Sequence, residues 1–259
     1  MMQNRRDTRN VSRFLLAIIP HSSTLFICVI YNAEAACLHG PHYIKDYTTM
    51  HDAEKQERRK TAGPSLPEKL KERLYPAVLE LFSDNDFHRV NMREIYSRSG
   101  ISPSTIYRYF SSKEELLFTI LDEKISEIAS LVKLHLQGIE STQEIFRKIF
   151  WVTLDYYDRN PGVAITAFIT TPLRTWMREK SYVQKDTMDI LSRIYSAAIE
   201  RGDIDPEIRV SDCLDQYYMH CYRQIHLWYY HGMKWKLVET LPRFFPILWK
   251  TISPPVTKP

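Results

Sequence analysis

Glycine is scarce in this chain, with 7 residues in 259, and that scarcity removes several chemistries at once. No glycine-rich phosphate loop can be written from it, and neither G-x-S-x-G nor H-E-x-x-H occurs. Cysteine is sparse too. Cys28, Cys37, Cys213 and Cys221 form no C-x-x-C pair, so neither a zinc ribbon nor a thioredoxin-type site is suggested. His220, Cys221 and His226 lie close together, but the spacing of the two histidines does not put metal ligands on one helix face. No metal and no cofactor is expected. Asp155, Asp158 and the clustered tyrosines could be imagined as catalytic, yet nothing positions them together, so the chain does not read as an enzyme.

No charge of one sign dominates either. The 35 Lys and Arg residues against 31 Asp and Glu leave +4, which permits a nucleic-acid partner without demanding one. Reduced cysteines and a cytoplasmic location fit this composition, with Cys213 and Cys221 read as buried thiols in an apolar helical stretch.

The first 64 residues stand apart as a poorly structured extension. Phe14–Tyr31 is apolar and follows Arg5, Arg6 and Arg13, the outline of a signal peptide. Pro20, His21, Ser22, Ser23 and Thr24 interrupt it, so no clean membrane span results and no membrane partner is expected. Three readings stay open: a start placed too early with Met50 opening the protein, an export or anchoring signal, and a genuine tail. Arg58, Arg59 and Lys60 suit a phosphate-tracking arm or a solvated charge run equally.

Past Ser65 there is no strand alternation of useful length, and helical periodicity persists. A first helix is expected over Leu66–Ser83, bent or shifted in its start by Pro76. Asn91 and Glu94 form a capping-box pattern opening a short helix that closes at Gly100. Ser102 caps a third helix, with Pro103 at its first position, ending near Phe110. Ser112 and Glu115 make a second capping box for a long helix from Lys113 to about Gln137. Further helices are expected at Thr142–Asn160, Val163–Thr170, Leu173–Arg178, Tyr182–Arg201, Val210–His231 and Leu237–Ile252, with no internal repeat. The fold class is therefore all-α.

The stretch from Asn91 to Leu117 is the informative one. Two short helices meet at Ser99-Gly100-Ile101, and Ile95, Ile101, Ile106 and Phe110 are placed to form a small core. That leaves the second short helix one polar face, which Ser104, Thr105, Arg108 and Tyr109 can occupy with Tyr107 at its edge. A short helix of this kind fits the major groove and presents its first residues to base edges. Ser104, Thr105 and Arg108 are the candidates for base contacts, Arg108 as a bidentate guanine reader. Lys113 opens the next helix, where its charge and the free amides attract a phosphate. Asn91 and Ser102 have capping duties and can reach the DNA backbone besides.

Ile95, Gly100-Ile101-Ser102, Ile106-Tyr107, Tyr109-Phe110 and Lys113-Glu114-Glu115-Leu116 resemble, in order and spacing, the helix-turn-helix of the tetracycline-repressor (TetR) family. The resemblance covers about fifty residues, Leu74 to Leu121. Asp86 stands where the family usually has glycine, and aspartate tolerates a left-handed conformation. Tyr96 and Ser99 replace small alanines, and Pro76 is unusual in the first helix. The resemblance implies a three-helix DNA-binding domain over 65–123 and a larger helical ligand-binding and dimerisation domain over 124–254. It implies phosphate contacts by Tyr107 and Tyr109, double-stranded DNA with a palindromic operator as partner, a homodimer, and repression relieved by an effector.

Two-fold operators call for two-fold proteins, and Val210–His231 with Leu237–Ile252 are the natural four-helix dimer contact. In the larger half Trp151, Tyr156, Phe168, Trp176, Tyr218 and Tyr222 could line a cavity for a small apolar or aromatic effector. Aromatic residues at helical spacing also make ordinary core. An exported or membrane-anchored helical protein, and a family member binding DNA without an inducer, are the alternatives.

Overall fold

The computed structural model describes residues 66–178 and 185–255, all within the compact unit Arg58–Pro259. The Phe14–Tyr31 run, Arg58–Lys60, Cys28, Cys37 and the expected helix start at Tyr182 lie outside the described residues. Among the described residues every regular element is helical. In chain order the α-helices are α1 (Glu68–Asp84), α2 (Met92–Ser99), α3 (Pro103–Tyr107), α4 (Lys113–His135), α5 (Thr142–Arg159), α6 (Pro161–Ile165), α7 (Leu173–Arg178), α8 (Lys185–Glu200), α9 (Val210–Tyr230) and α10 (Leu241–Ile252). A π-helical turn, Thr166–Thr170, continues α6, and a 3-10 turn, Leu237–Thr240, precedes α10.

Several starts are written in the sequence as side-chain caps. Asn91, Ser102, Ser112 and Ser141 each accept the backbone N–H three residues ahead, satisfying a donor the helix cannot pair. At α4 the expected reciprocal box is altered: the Glu115 carboxylate accepts from the Ser111 N–H and hydroxyl, at 2.7 and 2.6 Å, and not from the Ser112 N–H. Pro76 sits inside α1 with its side chain exposed, and the helix begins eight residues before it, so its start is not displaced. Asp86 is not left-handed; among the described non-glycine residues only Met233 has a positive φ. The turn after α1 is closed differently, by Arg89 N–H donating to Asp86 O at 2.9 Å.

Two expected single helices are each divided. Val163–Thr170 ends in the π turn, where Thr171 N–H donates five residues back to Thr166 O. Leu237–Ile252 opens as a 3-10 turn because Pro242 lies at the second position of α10 and has no N–H to extend an α ladder backwards. The carboxylate of Asp158 accepts the Leu237 and Val238 amides at 2.7 and 3.1 Å, and Asp155 pairs with Arg159. These are structural tasks.

The three-helix unit α1–α3 has its own small core. Leu74, Val78, Phe82, Ile95, Ile101, Ile106 and Phe110 are all buried, and α4 closes it with Leu116, Leu117 and Ile120. Helix α4 then runs on across the 123/124 boundary into the larger half, so one rigid element serves both. There α5 is central. Phe146 stacks on Tyr195 of α8 with ring centroids 4.5 Å apart, and Phe150 meets Tyr217 of α9 and Phe244 and Phe245 of α10. Thr153 and Tyr217 share a buried hydrogen bond of 2.7 Å. Cys213 and Cys221 are buried and free, and burial pushes the Cys213 thiol up to about 12, so both are packing groups.

Asp215 on α9 carries a pH dependence. Burial, then the neighbouring Asp212, push its carboxyl from 3.8 up to about 6, against the pull of Arg209. An acid raised on folding holds its proton more tightly in the folded chain, so stability falls as pH rises between 3.8 and about 6. Asp215→Asn should flatten that slope and leave the variant more stable than the parent above pH 6. Urea midpoints taken at pH 4, 5, 6 and 7 check it, and parallel curves would sink it.

Candidate nucleic-acid interface

The geometry of the α1–α3 unit follows from a few backbone devices. Gly100 ends α2 at φ +65° and ψ 22°, a left-handed conformation open to glycine at no steric cost. From α1, the Arg73 guanidinium donates to Ser99 O at 3.1 Å and Gly100 O at 2.8 Å, filling the acceptors that the helix end leaves unpaired. A Cβ at Gly100 would lie 2.8 Å from that same nitrogen. Ser99, in place of a small alanine, fits because its hydroxyl donates to Ile95 O at 2.7 Å inside its own helix. Arg98 pairs with Glu80 on α1 and fixes α2 a second time.

On this frame α3 places Ile106 inward at 1% exposure and Tyr107 outward at 54%. Ser102, Ser104 and Arg108 are exposed, while Thr105 and Tyr109 are half-buried. The Ser102 hydroxyl lies 3.1 Å from that of Ser104 and 2.7 Å from that of Thr105, so the cap and the first turn form one polar cluster. The Tyr107 ring meets Tyr96 edge-on at 5.9 Å, which holds its stem and leaves its face to solvent. Asn91 is exposed at the start of α2, its side chain and amide both engaged in the capping box with Glu94. Seven of the eight residues singled out thus share the α2–α3 segment, and α3 is shorter than expected, its last turn continued by Tyr109 and Phe110 N–H groups donating to Ile106 O.

Lys113 is placed differently from expectation. Its ammonium donates to Phe87 O at 2.9 Å and Val90 O at 2.7 Å and lies over the Phe87 ring at 4.7 Å. The first duty of this lysine is to tie the α1–α2 connection to α4, which leaves one of its three N–H donors for a phosphate. Lys113→Met strands two part-buried carbonyls. It should cost about 2–3 kcal/mol of folding stability, read as a lower urea midpoint at unchanged slope. A shift under about 0.5 kcal/mol, the usual size for an ordinary surface change, would refute the tie.

The six aromatic residues expected around an effector are not all brought together. Phe168 gathers Tyr218 and Tyr222 at 6.0 and 6.2 Å, with Tyr157 edge-on at 5.5 Å. Trp151 stands apart, under the Lys148 ammonium and beside His135. Tyr156 is turned to α4, where its hydroxyl donates to Lys124 O and Glu127. Trp176 packs edge-on against Phe118 at 4.5 Å. The reason is rotational: residues spread around α5 and α7 face different neighbours, so shared aromatic character did not mean a shared face. His226 joins the Phe168 group, its ring 3.9 Å from Tyr222 and its Nε2 2.9 Å from Phe168 O. Burial holds this imidazole below its ordinary pKa, favouring a neutral ring whose Nε2–H donates to that carbonyl. Nothing in the composition marked His226 for this part, nor Arg73 for its clamp.

A separate cleft of about 430 Å³ opens between α1, α4 and α6, lined by none of those six residues. The Lys71–Glu123 ion pair, 2.7 Å long, joins α1 to α4 there. Among the described residues no helix is long and apolar enough to cross a membrane.

Comparison with known proteins agrees with this geometry. Residues 76–120 match the family model described as bacterial regulatory proteins, tetR family. The chain is 25% identical over 133 residues to the fatty acid metabolism regulator protein of Bacillus subtilis (strain 168), covering 49% of this chain and 67% of that protein. It is 23% identical over 141 residues to the HTH-type transcriptional regulator UidR of Escherichia coli (strain K12), covering 54% and 71%. In fold it is similar to the transcriptional regulator FadR from Bacillus subtilis solved in complex with stearoyl-CoA. The TM-score is 0.61 at 19% identity, over 68% of this chain and 96% of that one.

Proposed function

We propose that this chain, whose residues 76–120 match the tetR-family model, is a cytoplasmic homodimeric DNA-binding repressor of that family that reads a palindromic operator and leaves it on binding an apolar effector. The observation that carries the reading is the two-sidedness of α3, with Ile106 sealed in the core and Ser104, Tyr107 and Arg108 turned to solvent. In this reading residues 65–123 are the reading head and 124–254 the sensing and dimerising half. Arg108, Ser104 and Thr105 meet base edges, with Arg108 suited to the paired acceptors of guanine. Tyr107, Tyr109, Asn91 and Ser102 meet the phosphate backbone, joined by the remaining N–H of Lys113.

The dimer face is assigned to α9 and α10. Ile247 is 63% exposed and Tyr230 82% exposed, large side chains on α10 and α9 that a partner copy would cover. Paired across a two-fold axis, they would set two α3 helices at successive major grooves, about 34 Å apart.

The effector is assigned to the region around Phe168, Tyr218 and Tyr222, the expected aromatic residues that do share a face. A long acyl thioester is the chemical class favoured, because a FadR of similar fold was solved with stearoyl-CoA.

The deciding measurement is fluorescence anisotropy with the duplex upstream of the gene and a scrambled duplex, at several salt concentrations, with and without stearoyl-CoA. Tight, salt-sensitive binding to the native duplex that stearoyl-CoA releases supports the whole reading. Binding that stearoyl-CoA leaves untouched would remove the acyl effector and keep the operator. Equal, weak binding to both duplexes, followed by failure of an unbiased DNA selection, would overturn the operator reading.

A further inference from the structure

Between the reading head and α9 lies one element with irregular backbone pairing. In the turn Thr166–Thr170 the Thr171 N–H reaches back five residues to Thr166 O, at 3.3 Å. Such π turns are a one-residue misfit within a helix and recur where helices do work beyond support. This one leaves a polar deficit: the hydroxyls of Thr170 and Thr171 are buried without a hydrogen-bond partner. In an ordinary α-helix a threonine at 170 could donate to Thr166 O, the acceptor that Thr171 N–H occupies here. Buried hydroxyls left unpaired are costly, which narrows the gap to an arrangement that pairs them.

The turn and the helix that leads into it touch different parts of the protein. On one side Gly162 and Thr166 meet α1: the Thr166 hydroxyl lies 3.5 Å from Leu79 O, and a Cβ at Gly162 would be 3.8 Å from the Leu79 Cβ. On the other side His226 of α9 donates to Phe168 O, and the Phe168 ring lies among Tyr218 and Tyr222 of the same helix. The carbonyl that His226 holds lies within the misfit itself.

We infer that the π turn Thr166–Thr170 is a two-state joint linking α9 directly to α1 of the reading head, with His226 as its positioning residue. A shift of this turn to the α register removes one residue's worth of rotation and rise, about 100° and 1.5 Å. The Thr166 hydroxyl at Leu79 O, 3.5 Å away, is the contact through which that change is passed to α1, and Leu79 belongs to the helix whose Arg73 holds the Gly100 turn. Whatever reorders the aromatic residues beside His226, an effector or the partner subunit across α9, then reaches the DNA-reading helix without passing through α4. This inference rests on the regulator reading above, and its physical content is an element with two discrete states that both sites bias.

The test uses the full chain, His226→Phe, His226→Gln and a deletion of Ile169. Glutamine keeps an N–H donor for Phe168 O, phenylalanine keeps only the ring, and the deletion imposes the α register. Two readouts are taken: amide hydrogen exchange over Leu79–Asp84, and the ratio of dissociation constants for the upstream duplex with and without stearoyl-CoA. His226→Phe and the deletion should change the exchange of Leu79–Asp84 by about fivefold or more and reduce the ratio toward one, while His226→Gln stays near the parent. If His226→Phe does not fold, the deletion carries the same comparison. Parental exchange and ratio in a folded His226→Phe or deletion protein would overturn the joint. So would equal behaviour of the phenylalanine and glutamine variants. If the parent itself binds no duplex, the regulator reading fails, and the exchange measurement alone still decides whether the joint exists.

Discussion

Arg108→Ala should weaken binding to the operator duplex by about 10- to 100-fold at fixed salt, the loss of one bidentate base contact, and should leave thermal unfolding unchanged. Both halves of that expectation follow from position. Arg108 is exposed at the end of α3 and forms no ion pair among the described residues, so its removal strands none of them. Discrimination between operator and scrambled DNA should shrink with the affinity, since a base contact is present in one complex and absent from the other. Arg73→Ala provides the contrast. It removes two charge-assisted bonds to the Ser99 and Gly100 carbonyls, so it lowers stability together with DNA binding. Equal loss of affinity for operator and scrambled duplexes in Arg108→Ala would recast the residue as a phosphate contact, with the salt slope lowered by about one.

How much of this could be read beforehand depends on how local each cause is. Caps are local: Asn91 with Glu94, Ser102 with Pro103 and Gly100 announce α2 and the start of α3 between positions 91 and 103, and the structure forms those caps. The inward set Ile95, Ile101, Ile106 and Phe110 is equally legible, because one periodicity specifies it. Long-range pairings left no such trace. The ammonium of Lys113 is drawn to carbonyls 26 and 23 residues away, a commitment no spacing rule reveals. Arg73 and Ser99 are likewise 26 apart. The π turn was invisible for a different reason, since a run such as Thr-Ala-Phe-Ile-Thr suits either helical register and its neighbours decide. Six aromatic residues could be named as candidates for one cavity, but their grouping depends on helix rotation. Only Phe168, Tyr218 and Tyr222 meet.

Phe150→Ala should produce the largest loss of stability, about 3–5 kcal/mol, equivalent to a fall in Tm of about 6–20 °C for a protein this size. Phe150 is fully buried on the central α5, and its ring touches Tyr217 on α9 and Phe244 and Phe245 on α10 at 5.3, 5.4 and 6.2 Å. Truncation opens a cavity at the point where the two proposed dimer helices lean on the rest of the subunit. Collapse into it can occur only by moving α9 or α10, which displaces Ile247 and Tyr230 on their outer faces. The reading head is built on a separate set of side chains, with Ile95, Ile106 and Phe110 at its centre. Hydrogen exchange should therefore rise in α9 and α10 of the variant while α2 and α3 stay protected. Operator affinity should fall through loss of the dimer, as a curve that steepens with protein concentration, with contacts at each half-site retained. Exchange that rises equally in α2 and α9 would show that the two cores unfold as one, and the division of labour between them would have to be abandoned. A destabilisation below about 1 kcal/mol would mean instead that the site collapses freely, and that Phe150 does not fix the positions of α9 and α10.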